Sequence, residues 1–186
     1  MLAQFDFKAT LQASAYLLKK ANAPMKYLKL LKLLYLADRE MLLNHGLLIT
    51  CDNFRAMQHG PVLSNTYDII KGIDIQNSPI WSNYIRRLSN YYVELIKDPG
   101  IGWLSEAETD VLDHIYNQYG RYPVWKIRDF THELPEWKNK AVAVDSDRFS
   151  IPFTPIDVLK DNNREDIIPA YQEHRDIAQE LDKLGC

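Results

Sequence analysis

Cysteine and glycine are both scarce in this chain of 186 residues. The two cysteines, Cys51 and Cys186, lack the spacing of a metal site, and so few cysteines are typical of a reducing compartment rather than of a disulfide-bonded scaffold. The chain has seven glycines and neither a G-x-G-x-x-G nor a G-x-x-x-x-G-K-S/T sequence, so the usual phosphate-binding loops are missing. A nucleotide-dependent enzyme is therefore not supported.

Long apolar runs and an excess of positive charge are missing as well. No stretch reaches the ~18 apolar residues of a membrane span, and the opening MLAQFDFKAT lacks the basic start and apolar run of a secretory signal. The formal net charge of -3 provides no general attraction to phosphate backbones. We therefore expect a cytoplasmic protein whose partners include neither a membrane nor, by default, nucleic acid.

The composition is that of an ordinary globular domain, with 46% hydrophobic and 25% charged residues. Apolar residues recur mostly at helical spacing, which predicts a compact α+β, mainly α domain of about six to eight helices around a central helix, with a small β-hairpin or short sheet. The predicted helices lie at 7–20, at 25–44, between Ser64 and Gly72, at 105–119, at 124–132, from 135 and at 165–184.

Local signals mark the ends of several predicted helices. Asp6 is placed to cap the first helix, and Pro24 to open the second. Ser105 with Glu108 three residues later forms a capping box for the helix at 105–119. Gly72 is a stop signal for the short helix that precedes it.

Strand predictions are fewer. Residues 46–57 have short apolar runs and predict two small strands or an extended loop. Aromatic and β-branched residues at 80–97 flank a Ser89-Asn90 turn and predict a hairpin, with a helix over 80–88 as the alternative. The segment 150–165 is rich in Pro, Asp and Asn, and we expect it to be the exit from the domain.

The helix at 25–44 carries polar residues in two different settings. Lys29 and Lys32 fall on its polar side, so we expect them to be exposed. Asp38 falls within the apolar arc, where an unpaired carboxylate would be costly, so it should be hydrogen-bonded or ion-paired. The candidate partners are Arg55, His59 and free backbone N–H groups near Gly60.

Three sequence blocks resemble the Panacea domain, a SocA-like family. They are KYLKLLKLLYLADRE at 26–40, DNFRAMQHGPVLSNTYDIIKG at 52–72, and LSEAETDVLDHIYNQYG at 104–120 followed by DFTHELPEW at 129–137. The resemblance implies a Panacea-like domain over 1–157 and a C-terminal amphipathic helix over 158–186 that packs on or extends it. The family motif residues, which serve the fold or contact a toxin, are Lys29, Lys32, Tyr35, Asp38, Gly60, Pro61, Tyr67, His132 and Trp137.

The resemblance implies an antitoxin from a bacterium or prophage that neutralises a cognate toxin by direct protein–protein binding. Candidate toxins are small alarmone synthetase-like enzymes and other inhibitors of translation or replication. It implies no cofactor, no metal and no catalytic residue. The SocA-like branch implies an alternative, in which the protein is an adaptor that presents its toxin to a protease such as ClpXP.

The residues themselves leave three further hypotheses. His59, His132 and Asp38 would form the centre of a metal-dependent hydrolase if the fold brought them together. The helices at 105–119 and 124–132 follow one another as in a helix-turn-helix DNA-binding motif, but the first helix is too acidic to make many phosphate contacts. The last helix repeats apolar residues at spacings of four and three, so it either packs on its own domain or offers a partner surface; the residues of that possible surface are Tyr171, His174, Ala178 and Leu181.

Overall fold

The computed structural model describes residues 5–141 and 150–184 and confirms a mainly helical α+β fold. These residues form nine α-helices and six short strands. The helices are α1 Phe7–Ala21, α2 Tyr27–His45, α3 Ser64–Lys71, α4 Ser78–Ser82, α5 Glu106–Tyr119, α6 Val124–His132, α7 Pro135–Ala141, α8 Pro155–Asp161 and α9 Ile168–Leu184. The strands are β1 Met25–Lys26, β2 Phe54–Met57, β3 Gly60–Leu63, β4 Ile85–Arg87, β5 Tyr92–Leu95 and β6 Ser150–Phe153.

Helix α2 is the central helix, as its leucine-rich sequence predicts. It contacts α1, α3, α5, α6, α8, α9 and strand β3. Because neighbours surround it, buried residues occur all around its circumference. The apolar ones are Leu30, Leu31, Leu33, Leu34, Tyr35, Leu36, Ala37, Met41 and Leu42.

The predicted start of α2 at Pro24 is wrong. Met25 and Lys26 are extended and pair with Val93 and Tyr92 of β5, so the helix begins at Tyr27. Met25 is 5% exposed, and its burial against the sheet favours the extended conformation over a longer helix. The other end signals are confirmed: the Asp6 carboxylate accepts from the Ala9 N–H at 2.8 Å, and the capping box at the start of α5 is complete.

Two three-stranded antiparallel sheets flank the helices. The strand orders are β1-β5-β4 and β3-β2-β6. The predicted hairpin at 80–97 is confirmed as β4 and β5, while helix α4 occupies only the beginning of the alternative helical range. Within 46–57 the structure has one strand, β2, so the prediction of two strands there is wrong and residues 46–53 form a loop.

The segment after residue 150 is an integral part of the fold. Phe153 of β6 pairs with Phe54 of β2, and Val158 and Leu159 of α8 have no exposed surface. The prediction of an exit from the domain at 150–165 is therefore wrong, because these residues complete a sheet and cover the core. No helix of the described residues is long and apolar enough to cross a membrane.

Candidate functional site

Asp38 ties the loop after α2 back onto the helix. Its Oδ1 accepts from the backbone N–H groups of Ile49 at 2.8 Å and Thr50 at 2.9 Å, and its Oδ2 accepts from the Thr50 hydroxyl. The prediction of Arg55, His59 or the Gly60 region as partners is wrong, because the chain turns at Gly46, in a left-handed conformation, and returns along α2. Burial raises the pKa of Asp38 to about 7, although the hydrogen bonds from Thr50 and Ile49 act in the opposite direction.

Lys32 is fully buried, so its predicted exposure is wrong. Its Nζ donates to the Pro61 carbonyl of β3 at 2.5 Å, which places the β2–β3 hairpin on what the sequence predicts to be the polar side of α2. Burial lowers the pKa of Lys32 well below its usual value. Lys29 is half-buried rather than exposed, and its Nζ donates to the Gly120 carbonyl at 2.6 Å.

Gly60 begins β3 at a point where the hairpin meets α2 and α6. Its φ is +93°, and a Cβ there would lie 2.7 Å from Thr131 Oγ1 and 2.8 Å from Lys32 Nζ. Only glycine satisfies both the positive φ and the close approach. Gly60 therefore allows the hairpin to pack directly against Lys32.

His132 and Trp137 also lie against this hairpin, and His132 Cδ2 would be 3.1 Å from a Cβ at Gly60. Their rings stack in parallel with centroids 4.0 Å apart, and Trp137 Nε1 donates to the Met57 carbonyl at 2.9 Å. Burial, together with nearby Lys32 and Arg128, lowers the pKa of His132. His132 Nε2 is buried without a hydrogen-bond partner among the described residues.

The structure does not assemble the hypothesised metal centre. The Asp38 carboxylate is occupied by Ile49 and Thr50, and the His132 ring is stacked on Trp137. Within residues 5–141 and 150–184, no group of three or more His, Cys, Asp or Glu side chains is placed to hold a metal ion. Burial raises the pKa of the Cys51 thiol to about 12, the opposite of what an activated nucleophile needs.

Glu136 is at the centre of a buried network that the sequence analysis missed. It accepts from the Tyr35 hydroxyl at 2.7 Å, from Arg39 Nε at 2.7 Å and from Asn162 Nδ2 at 3.0 Å. Burial by itself would raise the pKa of Glu136, but the Arg39 charge and the hydrogen bonds from Arg39 and Asn162 hold it below its usual value. Nothing in the local sequence identifies Glu136, since its partners lie far along the chain.

Asp52 is a second residue that the sequence analysis missed. Its carboxylate accepts from the backbone N–H groups of Asn65 and Thr66, each at 2.8 Å, and from the Thr66 hydroxyl at 2.6 Å. Asp52 therefore caps the first N–H groups of α3 from outside the helix. Because Asp52 lies well before α3 in the sequence, the helix start itself carries no recognisable capping motif.

A cleft of about 350 Å³ opens beside these buried contacts, between the start of α2, the β2–β3 hairpin and α3. We call it the tyrosine cleft. It is lined by Tyr27, Leu28, Leu31, Met57, Gln58, His59, Val62, Tyr67 and Ser150. The Tyr27 and Tyr67 rings contact each other edge to face with centroids 6.4 Å apart. Tyr67 is only partly buried and lines this surface cleft.

The sequence of residues 30–138 matches the family described as antitoxin SocA-like, Panacea domain. The chain belongs to this family. No curated protein and no solved structure matches it.

All but one of the predicted motif residues of this Panacea domain fall within the matched range; Lys29 precedes it. Most of them hold the β2–β3 hairpin, the loop after α2 and α7 against the central helix. Tyr67 differs, since it lines the tyrosine cleft. The polar contacts of the motif thus connect the central helix to the segments that pack around it.

Tyr91 extends the Panacea domain's aromatic surface from the tip of the β4–β5 hairpin. Asn90 and Tyr91 both have positive φ, at 55° and 68°, and the Tyr92 N–H donates to the Ser89 carbonyl, which defines a type I′ turn. A left-handed conformation costs a residue with a Cβ roughly 1–2 kcal/mol. The strained turn places the ring of Tyr91, a residue that is 59% exposed, in edge-to-face contact with Tyr27, with the ring centroids 5.9 Å apart.

The predicted surface on α9 is divided between two environments. Tyr171 is buried, and His174 Nδ1 lies 3.3 Å from the Gly46 carbonyl, so the first half of α9 docks on the loop after α2. Ala178 and Leu181 are exposed. The C-terminal half of the Panacea domain's last helix therefore presents an apolar surface to solvent.

Proposed function

We propose that this protein is an antitoxin that neutralises a cognate toxin by holding it in a direct protein–protein complex. The observation that carries the proposal is membership of the antitoxin SocA-like, Panacea domain family over residues 30–138. The geometry agrees with this role, because Asp38, Lys32 and Glu136 use their polar groups to build the scaffold.

The mechanism is occlusion or allosteric inhibition of the toxin. Binding that removes the free, active population of the toxin suffices for neutralisation, and it needs no chemical step by the antitoxin. The toxin is a small alarmone synthetase-like enzyme or another inhibitor of translation or replication. The contact surface includes the exposed half of α9, with Ala178 and Leu181, or the tyrosine cleft.

Co-expression with the product of the adjacent open reading frame tests the proposal. That product is expressed from an inducible promoter with and without this chain carrying an affinity tag. Restored growth together with co-purification of the two proteins is the expected result. Continued growth arrest, with no complex recovered, would contradict an antitoxin role for this pair.

The same experiment in a strain without ClpXP separates the two modes of neutralisation. Direct occlusion predicts full rescue in that strain and an unchanged amount of toxin. Rescue that disappears without the protease, with the toxin degraded when the protease is present, would instead assign the adaptor mechanism.

A further inference from the structure

We propose that the tyrosine cleft, with its rim of Tyr91 and Lys71 and with Lys26 nearby at the β4–β5 turn, is the toxin-binding surface and takes an acidic segment that inserts a large apolar side chain. This inference rests on the proposed antitoxin function and specifies its contact surface and the chemistry of the partner. It commits to a polypeptide partner, and nucleic acid is tested against it below.

The cleft has the size and lining of a pocket for an anchoring side chain. Its volume of about 350 Å³ lies within the usual range for a binding pocket. Leu31 and Val62 form a buried apolar floor, and Met57, Tyr27 and Tyr67 form partly exposed walls. A flexible thioether and rigid tyrosine rings are typical of surfaces that bind another protein.

The rim of the cleft presents aromatic anchors at little entropic cost. Tyr27 contacts Tyr67 and Tyr91 edge to face, so the three rings form one continuous surface. Tyr91 occupies the second central position of its turn, which is glycine in Asn-Gly turns, so its backbone is strained. The residue nevertheless remains largely exposed. The structure thus maintains an unfavourable backbone conformation that displays an aromatic ring.

Lys71 borders the same rings, and Lys26 lies beside the turn that carries Tyr91. Lys71 Nζ lies 5.8 Å from the centre of the Tyr27 ring and 5.7 Å from that of Tyr67. Lys26 Nζ lies 4.8 Å from the Tyr92 ring and donates to the Asn90 carbonyl. Among the described residues, neither lysine forms a salt bridge with a carboxylate, so both charges are available to a partner.

The described acid nearest to Lys71 in sequence is Asp68, which precedes it by three residues on α3, a spacing at which helical side chains are neighbours. Among the described residues no salt bridge joins the two, so the Lys71 ammonium is not held in a direct ion pair. The chain as a whole carries a net charge of -3. A locally positive, apolar cleft on an acidic protein selects a segment that combines acidic and apolar residues, since opposite charges favour both encounter and register.

The exposed half of α9 is the rival surface. Ile177 and Leu181 are about half exposed there, at 50% and 47%. They project from a single helix, whereas the tyrosine cleft is a concave site bounded by α2, the β2–β3 hairpin and α3. Enclosed pockets that desolvate an anchor dominate binding energy in protein interfaces, which favours the cleft.

The direct test measures binding of fluorescein-labelled synthetic peptides to the full chain by fluorescence polarisation. The first peptide alternates glutamate with leucine and phenylalanine, and the second replaces every glutamate with lysine. We expect the acidic peptide to bind at least about tenfold more tightly, a difference within the range that charge pairs contribute across interfaces. Equal affinities, or no binding of either peptide, would overturn the proposal.

Variants locate the binding to the cleft. Lys71→Glu should abolish the preference for the acidic peptide, and Tyr67→Ala should weaken its binding about tenfold, as for a hot-spot aromatic residue. Lys97→Glu is the matched charge control, because Lys97 also lies over a tyrosine ring, that of Tyr84, at the other end of the β4–β5 hairpin. Equal effects of Lys71→Glu and Lys97→Glu would show that the cleft is not the binding surface.

Tyr91→Gly separates binding from folding. Glycine fits the left-handed position, so the variant should retain the wild-type melting temperature or exceed it. Its affinity for the acidic peptide should nevertheless fall, because the exposed ring is lost. Unchanged peptide affinity in a folded Tyr91→Gly protein would remove Tyr91 from the proposed surface.

The adjacent open reading frame product and a uridine oligonucleotide complete the test. If wild-type protein rescues growth and the cleft variants rescue equally well, while Leu181→Asp does not, the antitoxin function stands and the cleft proposal is wrong. If the wild type fails to rescue, the proposed function fails for that pair, and the peptide measurements still decide whether the cleft binds an acidic segment.

The uridine oligonucleotide tests nucleic acid as the alternative partner. If it binds more tightly than the acidic peptide, and if Tyr67→Ala abolishes that binding, the partner is RNA rather than a polypeptide.

Discussion

Lys32 and Asp38 are ionisable side chains on the most buried helix of the protein, and both are satisfied by backbone groups of a neighbouring segment. Lys32 donates to the Pro61 carbonyl of the hairpin, and Asp38 accepts from the Ile49 and Thr50 N–H groups of the loop. Such groups are costly to bury without partners. Each therefore specifies where one segment of the chain docks on α2.

The sequence could predict that Asp38 needs a partner, but it could not identify that partner. The requirement follows from the helical position of Asp38 alone. The identity of Ile49 and Thr50 depends on the path of the chain after Gly46. Helical periodicity predicts an exposed Lys32 because it separates apolar from polar residues. Only the tertiary fold reveals that the hairpin covers the polar side of α2 as well.

Asp38→Asn should remove a pH dependence of stability that the wild type shows. The folded pKa of about 7 exceeds the unfolded value of about 3.9, so the folded state retains a proton that the unfolded state releases. The contribution of Asp38 to the free energy of unfolding of the wild type is fully present below about pH 4 and is lost as the pH rises to about 7. Asparagine is neutral throughout and can make equivalent hydrogen bonds once the Thr50 hydroxyl rotates.

Urea unfolding of both proteins between about pH 4 and pH 7.5 measures this difference. Relative to the wild type, Asp38→Asn should gain stability as the pH rises, by up to roughly 4 kcal/mol for a shift of this size. A stability difference that is constant across this pH range would contradict the assignment of a raised pKa to Asp38.

Gly60→Ala and Gly72→Ala form a matched pair of substitutions. Both glycines have positive φ, +93° and +77°, so both variants pay the conformational cost of roughly 1–2 kcal/mol. A Cβ at Gly72 meets nothing within 4 Å, whereas one at Gly60 would clash with Thr131 Oγ1 and Lys32 Nζ. We expect Gly60→Ala to lower the free energy of unfolding by an additional 1–3 kcal/mol or so, as for overpacking; equal losses would contradict the close approach of the hairpin.

At the scale of elements, signals within a helix were predicted better than pairings between distant segments. The Asp6 cap and the Ser105–Glu108 capping box involve neighbours in sequence, and both are confirmed. The pairing of β6 with β2 and the docking of α8 join segments separated by most of the chain. A proline-rich stretch such as 150–155 shows no strand periodicity, so its place in the sheet follows only from the fold.

The Glu136 network connects α7, α2 and the end of α8 and should be important for their association. Glu136→Gln leaves the Arg39 guanidinium, which is 17% exposed, without its carboxylate partner. Breaking a buried pair in this way typically costs about 3–5 kcal/mol. Thermal and urea unfolding should show a loss of that order.

Glu133→Gln is the control for the loss of one acid from the same part of the chain. The pair of Glu133 with Lys138 is largely exposed, at 70% and 50%, and exposed pairs contribute about 0–1 kcal/mol. A Glu136→Gln protein as stable as the Glu133→Gln protein would show that the buried network does not stabilise the fold.

At the scale of the whole molecule, the core extends beyond the region that defines the family. The matched range ends at residue 138, but β6, α8 and the first half of α9 contribute a strand, the Asn162 contact to Glu136, and the buried Tyr171. Residues after the matched range therefore cover surfaces of β2 and α2 that would otherwise be exposed. The sequence boundary of a family is not the boundary of the folded unit in this protein.

Two truncations test this view. A chain ending at residue 157 lacks the buried Val158, Leu159 and Tyr171, and we expect it to be insoluble or to lack a cooperative unfolding transition. A chain ending at residue 176 keeps all three, removes only the exposed end of α9, and should unfold with nearly the wild-type midpoint. Circular dichroism during heating distinguishes them; a cooperatively folded chain of 157 residues would contradict the extended core.

The most direct test of the central claim uses purified components alone. The product of the adjacent open reading frame, which is the proposed toxin, is assayed for its own activity while this protein is titrated into the reaction, with no protease and no other protein present. Direct neutralisation predicts a stable complex and inhibition that is complete once the protein is in excess over the toxin. Full toxin activity at saturating protein, with no complex detected by size-exclusion chromatography, would contradict it.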